Sequence, residues 1–247
     1  MIFYDSTKKL GICQAVDRRC DSSDTSYPVL DKRAELNIAG ETIVAEVING
    51  DGVYQFDDTR YTDAPRGLGT LIEGQESYSY ASEYLQIEAM DILGTDGVYR
   101  RIKQIDLNDL GGLSPEEYFG STTTTTKKGF PEYYDLFADD SFRLYPAPTS
   151  TSVTLTNGYR VWFKRTFKVF DDATISNDYT LTPGLPSPYH ALLVLLISLP
   201  FCKSYKKDRV PQLLIDIADE KKKISKHYAL RNKDRRSIMR GKKILYI

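Results

Sequence analysis

The strongest constraint in this sequence is an apolar run, Ala191 to Leu199 (ALLVLLISL). In a helix drawn from Tyr189 to Tyr205, apolar residues lie on nearly every side, so the helix must be covered all round by its own chain or by another subunit. The run is too short to span a bilayer, which takes about 20 residues. Pro200 is expected to end or kink the helix. Other helices, or neighbouring subunits, must therefore surround this segment.

Two segments near the N-terminus have helical periodicity. The first helix is expected from Ser6 to Cys20, with Asp5, Ser6 or Thr7 as its N-cap. The second is expected from Leu30 to Ile48, with Gly40 as a weak point at its centre. The apolar positions that suggest this second helix are Ala34, Ile38, Val44, Ala45 and Ile48.

The C-terminal part of the chain is strongly basic. Residues 201–247 contain 15 Lys/Arg and 5 Asp/Glu, whereas the whole chain has a net charge of −1. Such an arm favours an acidic partner, which could be nucleic acid, another protein or a neighbouring copy. A last helix is expected from Val210 to Leu230, with one apolar face formed by Leu213, Leu214, Ile217, Ile224 and Tyr228.

A basic tail, residues 231–247, follows this helix and ends in the apolar sequence Ile244-Leu245-Tyr246-Ile247. An apolar end on a charged arm is typical of an anchor for another chain. The candidate interface residues of the tail are Arg235, Arg236, Arg240, Lys242, Lys243, Ile244, Leu245 and Tyr246.

The middle of the chain has a different pattern. Short stretches rich in β-branched and aromatic residues are separated by Gly, Asp and Pro, which predicts antiparallel β structure. Asn157-Gly158 is a hairpin signal. The expected strands lie within 69–74, 77–80, 84–89, 98–104, 141–145, 152–156 and 159–170.

One segment has no face that could be buried. Residues 113–129 contain five consecutive threonines, Thr122 to Thr126, flanked by Gly, Ser and Lys. This composition predicts a long exposed loop that becomes ordered only against a partner.

Helices at both ends and strands between them predict an α+β fold. In this arrangement the N- and C-terminal helices form a helical bundle, and an antiparallel β module is inserted between them. The expected helical module comprises residues 1–50 and 186–247, and the β-rich module comprises residues 51–185.

The common signatures of catalysis are missing from the sequence. The two histidines, His190 and His227, have no zinc-site spacing, and neither a Walker lysine motif nor a GxSxG motif is present. Carboxylate pairs occur at 116–117, 139–140 and 171–172, where turns explain them. Cys13, Cys20 and Cys202 form no CxxC pair and are expected to be reduced thiols. We therefore expect no enzyme activity, cofactor or metal.

The chain contains 18 tyrosines, many of them in the β region. Tyrosine combines a large apolar ring with one hydroxyl, which suits protein interfaces and carbohydrate platforms. Ordinary packing between strands accounts for about half of them.

From Gly129 onward, several short motifs follow one another along the chain. Pro131 to Tyr134 leads into a strand that ends in the turn Leu144 to Pro148, and a strand Tyr159 to Lys164 follows. The segment Pro183 to Pro186 then precedes His190 and the apolar helix. In this order the motifs resemble the head-to-tail adaptor proteins of tailed bacteriophages. The resemblance covers roughly residues 5–230, but neither the threonine loop nor the basic tail.

This resemblance implies a structural virion protein in the neck, at the head–tail junction, assembled in the host cytoplasm without a membrane. Members of the family form rings, commonly dodecamers, below the portal, where they extend the DNA channel and provide a platform for neck or tail proteins. The expected partners are copies of the chain, the portal protein, a downstream neck or tail protein, and genomic DNA in the lumen. The tail residues would dock on the portal or on a neighbouring subunit.

Two alternatives from other classes stay open. One is a carbohydrate-binding or hydrolytic virion β module that uses the central strands and their tyrosines. The other is a DNA-binding protein that uses the basic C-terminus, whose affinity would fall steeply with salt.

Overall fold

The structure is a computed structural model that describes residues 1–51, 65–105, 117–118, 127–137 and 140–231. The chain divides into two compact units, a helical unit of Met1–Thr62 with Phe167–Ile247 and a β unit of Asp63–Thr166. Helices lie at both ends of the chain and a predominantly antiparallel sheet lies between them. The predicted α+β fold is confirmed.

Within its described residues, the helical unit contains four longer helices and one short one. Short 3-10 turns at Ser187–Tyr189 and Lys207–Arg209 precede the last two helices. The helices are α1 (Ile12–Cys20), α2 (Val29–Asp51), α3 (Ile175–Asp178), α4 (His190–Tyr205) and α5 (Val210–Arg231).

Helix α4 lies at the centre of this unit and packs against α1, α2 and α5. Leu192, Leu193 and Ile197 are fully buried, as the apolar run predicts. The helix does not end at Pro200, because the residues that follow it, Phe201 and Cys202, are buried in the same core and keep the chain helical. The free energy of this packing outweighs the loss of the backbone hydrogen bond that proline cannot donate.

Helix α1 begins later than predicted. Its N-cap is Gly11, with no capping side chain, so the expected capping by Asp5, Ser6 or Thr7 is wrong. The carboxylate of Asp5 instead accepts hydrogen bonds from the backbone N–H groups of Thr7 (3.1 Å) and Lys8 (2.8 Å). Asp5 therefore caps a turn that precedes the helix. Cys13 and Cys20, which are seven residues apart, share the buried face of α1.

Nine strands form the part of the β unit that the structure describes. The seven-stranded sheet has the order β1-β9-β3-β4-β6-β7-β2, and β5 pairs with β8 separately. The strands are β1 (Arg66–Gly69), β2 (Ser77–Ser79), β3 (Tyr84–Leu93), β4 (Tyr99–Gln104), β5 (Lys128–Gly129), β6 (Tyr133–Leu136), β7 (Ser141–Tyr145), β8 (Ala147–Pro148) and β9 (Tyr159–Arg165).

Most strand pairs are antiparallel, as predicted, but β4 with β6 and β5 with β8 are parallel. The strand expected at 152–156 is absent from the described structure, where Val153 forms only an isolated bridge with Gly94. Asn157, at a positive φ of 50°, forms the predicted turn before β9.

Strand β9 ends at Arg165, earlier than the expected Phe170. The reason is tertiary: Phe167 and Phe170 belong to the buried core of the helical unit, together with residues of α2 and α4. Their side chains continue the aromatic pattern of the strand but pack in the core of the helical unit.

Candidate assembly surfaces

The eight tail residues predicted as an interface lie outside the described residues: Arg235, Arg236, Arg240, Lys242, Lys243, Ile244, Leu245 and Tyr246. Thr122 to Thr126 lie outside them as well. The roles assigned to the tail and to the threonine loop stay predictions.

The side chains that could take part in catalysis or metal binding, above all those of the histidines, have the surroundings of structural residues. Within the described ranges, no group of three or more His, Cys, Asp or Glu side chains could hold a metal ion. His190 is buried, its Nε2 lies 2.9 Å from the carbonyl oxygen of Leu185, and burial lowers its pKa. His227 is exposed and packs edge-on against Tyr189. Both arrangements are typical of structural histidines.

All three cysteines are free and buried. The Sγ atoms of Cys20 and Cys202 lie 3.7 Å apart. Burial raises the pKa of Cys13 to about 12 and that of Cys20 to about 11, so both are protonated thiols at neutral pH. A protonated thiol is a poor nucleophile.

Two of the predicted turn carboxylates have local hydrogen bonds. Asp172 accepts from the backbone N–H of Thr174 (2.8 Å) and the side-chain amide of Asn177 (3.0 Å). Asp140 accepts from the hydroxyl of Ser141 (3.1 Å). Glu116 and Asp139 lie outside the described residues.

Several tyrosines of the β region pack within its core. The ring of Tyr84 stacks on Phe163 with centroids 3.7 Å apart, and Tyr78 stacks on Phe142. The Tyr78 hydroxyl donates to backbone carbonyl oxygens of the turn before β2. A carbohydrate platform needs exposed ring faces, so this packing argues against that alternative.

The outer side of α2 has the features of an assembly surface. A groove of about 200 Å³ runs between α2 and α4, and Ile38 beside it is 62% exposed. The residues that line this α2–α4 groove are Glu35, Ile38, Ala39 and Thr42 from α2, and Leu196, Leu199, Pro200 and Lys203 from α4.

The charge of α2 is divided between its two sides. Both of its basic residues have partners inside the unit: Lys32 binds Asp17 and Asp24, and Arg33 binds Asp178. The side of α2 that borders the groove carries the carboxylates Asp31 and Glu35, which are four residues apart, and Glu41 lies about a third of a turn further round the helix. This side of α2 is therefore both apolar and acidic.

The carboxylates of Glu35 and Glu41 are partly desolvated. Burial, with a smaller effect of Asp31, raises the pKa of Glu35. Burial also raises the pKa of Glu41, against a hydrogen bond from the backbone of Phe167. Within the described part of the chain, no cation lies within ion-pair distance of either carboxylate. A cationic partner would stabilise both charges.

A second exposed apolar surface lies on α5. Pro211, Leu214, Ile215 and Ala218 are all exposed and recur at helical spacing, and we call this surface the α5 ridge. Leu214 is 48% exposed and Ile215 is 57% exposed. The expectation that Leu214 belongs to the buried face is wrong, although Leu213, Ile217, Ile224 and Tyr228 are buried as predicted.

The basic side chains of α5 follow the ridge. Lys222 is 81% exposed, and its Nζ lies 3.9 Å from a carboxylate oxygen of Asp219 on the same helix. Lys226 is exposed and forms no ion pair with any residue that the structure describes. The outer side of α5 thus changes from apolar to basic along its length.

The exposure of Ile38 and Ile215 could not be identified from the sequence. Ile38 belongs to the set of apolar positions that predicts helix α2, yet the apolar side chains of α2 that are buried are those of Leu36, Ala39, Ile43, Val44 and Val47. One feature of the sequence does point to an exposed apolar side chain on α2: its apolar residues occupy two separate sets of helical positions, and a helix at the surface buries one of them.

Comparison with known proteins agrees with the predicted resemblance. A family model described as SU10 adaptor protein matches residues 14–241. A search of curated proteins found no match. Among the helices that the structure describes, none combines the length and apolar character that a membrane span needs.

Proposed function

This chain belongs to the SU10 adaptor protein family, and we propose that it forms a ring below the portal of a tailed bacteriophage. Membership of the family makes it a structural adaptor of the virion. In the proposed ring the chain extends the DNA channel and provides a platform for neck or tail proteins. The family match over residues 14–241 is the observation that carries this proposal, because it includes helices of both ends and the whole β unit.

The surfaces of the helical unit support a role in assembly. The α2–α4 groove and the α5 ridge expose apolar side chains, and such surfaces are typical of protein–protein contacts. The buried thiols and the structural histidine His190 support a non-enzymatic role.

The proposed partners are other copies of the chain, the portal protein, a downstream neck or tail protein, and the DNA that passes through the lumen. The basic tail, residues 231–247, is proposed to dock on the portal or on a neighbouring subunit. A lumen that lets DNA slide should be acidic or neutral, and the net negative charge of residues 1–200 is compatible with this requirement.

The proposal is tested by measuring the mass of the purified full chain by light scattering, alone and with portal protein, and by imaging both samples in negative stain. We expect rings in at least one sample. A chain that stays monomeric with portal protein and is absent from virions would contradict the proposal, and would return attention to the carbohydrate-binding and DNA-binding alternatives.

A further inference from the structure

The α2–α4 groove and the α5 ridge are complementary in form. We propose that the α5 ridge of one copy packs into the α2–α4 groove of the next copy. This inference rests on the proposed ring. A ring requires a heterologous interface, in which two different surfaces of identical subunits meet head to tail.

The shapes of the two surfaces fit this contact. Leu214 and Ile215 project from one side of α5, and Pro211 and Ala218 extend the same row by one turn on either side. Ridges of this kind pack into grooves between side chains of neighbouring helices. Burial of the exposed Ile38, Leu214 and Ile215 side chains would supply the hydrophobic driving force.

The charges of the two surfaces are also complementary. The α2 side of the groove carries Glu35, whose carboxylate is partly buried and has no cation within ion-pair distance among the described residues. The ridge continues into Lys222, which is 81% exposed. On the α4 side of the groove lies the cation Lys203, and the α5 surface offers the exposed carboxylate of Asp219. Each surface therefore presents an anion and a cation that can pair with the opposite charges of the other surface.

A symmetric contact between two identical surfaces is disfavoured by the same charges. Two α2 surfaces facing each other would bring Asp31 and Glu35 of one copy against the same carboxylates of the other. Two α5 surfaces facing each other would bring Lys222 and Lys226 of one copy against the same lysines of the other. Like charges across an interface are destabilising, so the α5-to-α2 contact is favoured over either symmetric contact.

Cross-linking between single-cysteine variants tests the geometry. We propose the full-length variants Ile38→Cys and Ile215→Cys, under the conditions in which the wild-type chain forms rings, with a short bismaleimide. The native cysteines are buried, so wild type is the control for background. The mixture of the two variants should give cross-linked dimers, and a chain carrying both changes should give a ladder of oligomers. Each single variant alone should give neither product.

Charge exchange tests the electrostatics. Glu35→Lys and Lys222→Glu should each weaken assembly roughly tenfold, and a chain with both changes should recover most of the loss. Leu10→Asp is the matched control, because Leu10 is 61% exposed in the helical unit and belongs to neither surface. This control should assemble like wild type. Circular dichroism of every variant verifies that the helices are intact.

The outcomes separate this inference from the proposed function. If wild type forms rings but the Ile38→Cys and Ile215→Cys mixture gives no cross-link, the inference is wrong and the ring proposal stands. Cross-linking of Ile38→Cys alone would instead show a symmetric contact and would also overturn the inference. If wild type never assembles, even with portal protein, both proposals fail.

Discussion

The two units bury ionised groups in different ways. In the β unit, Asp91 is 3% exposed and lies opposite Arg101 on β4 and Arg160 on β9. Its carboxylate accepts hydrogen bonds from Arg101 (2.8 Å), Arg160 (3.0 Å) and Trp162 (2.8 Å). In the helical unit a cation, Lys32, is fully buried between Asp17 (2.7 Å) and Asp24 (2.9 Å).

The difference lies in how many groups each buried charge satisfies. Asp91 is the acceptor for three side chains on two neighbouring strands, and two of them, Arg101 and Arg160, are 61% and 23% exposed. Lys32 has two partners, Asp17 and Asp24, which are 19% and 44% exposed. Loss of a buried charge is therefore expected to cost more where it leaves more groups without a partner.

The largest effect is expected for Asp91→Ala. Removing the carboxylate leaves the Arg160 guanidinium and the Trp162 indole N–H without their acceptor, and should cost about 3–5 kcal/mol of unfolding free energy. Trp162 is the sole tryptophan of the chain, so its fluorescence during urea unfolding reports on the β unit. Asp91→Asn, which keeps the side-chain volume and an acceptor oxygen, should cost less. An unchanged urea midpoint for Asp91→Ala would contradict the role of this cluster.

A smaller effect is expected for Lys32→Ala. The loss should be about 2 kcal/mol, because Asp17 and Asp24 regain water once the ammonium group is removed. Far-UV circular dichroism during urea unfolding reports mainly on the helical unit. Lys32→Met keeps the apolar stem of the side chain and separates its packing from its charge. If Lys32→Ala costs as much as Asp91→Ala, the number of partners does not explain the difference between the units.

Acidification should affect Asp91 and Glu35 in opposite directions. Burial alone raises the pKa of Asp91, but the hydrogen bonds from Arg101, Trp162 and Arg160 outweigh it and lower the pKa. The stabilisation by Asp91 is therefore complete above the pKa of the unfolded chain, about 4, and is lost as the pH falls through the folded pKa. Glu35 has a raised pKa, so its ionised form opposes folding above the folded pKa and protonation relieves this effect.

Two amide variants check this pH dependence. Asp91→Asn should flatten the acid limb of the tryptophan signal. Glu35→Gln should stabilise the helical unit at pH 7 by less than about 1 kcal/mol, since the group is partly exposed, and the gain should vanish as the pH falls. A gain from Glu35→Gln that grows on acidification would contradict the raised pKa of this carboxyl group.

The smallest effect is expected for Ile38→Gln. Ile38 is 62% exposed, so the free energy of unfolding should change by no more than about 0.5 kcal/mol. The matched control is Ile43→Ala on the buried side of the same helix, which should cost about 2–5 kcal/mol. Thermal unfolding followed by circular dichroism measures both. A large loss for Ile38→Gln would show that Ile38 stabilises the isolated chain rather than a contact with another copy.

The helices could be predicted closely from the sequence. The expected bounds of α2, α4 and α5 agree with the structure to within a few residues, because helical periodicity is a local property of the chain. Strand pairing could not be predicted in the same way. Whether β4 pairs with β6 in parallel, and whether Asp91 lies between two arginines, depends on segments far apart in the sequence.

Gly40 has a packing role that its neighbours in the sequence do not indicate. In the sequence it is a weak point of a helix, whereas in the structure a methyl group at this position would collide with the ring of Phe167. The glycine of α2 and the aromatic residue after β9 are thus packing partners. Neither residue indicates the other in the sequence.

By itself, the sequence determined the order of helices and strands, the burial of the apolar helix α4, the basic character of the C-terminal arm and the resemblance to phage adaptors. These features depend on residue type and spacing alone. Only the tertiary structure decided which of the two apolar sides of α2 is buried, and that Leu214 and Ile215 stay exposed on α5. The physical reason is that spacing defines a face of a helix, whereas burial of that face depends on which distant segments pack against it.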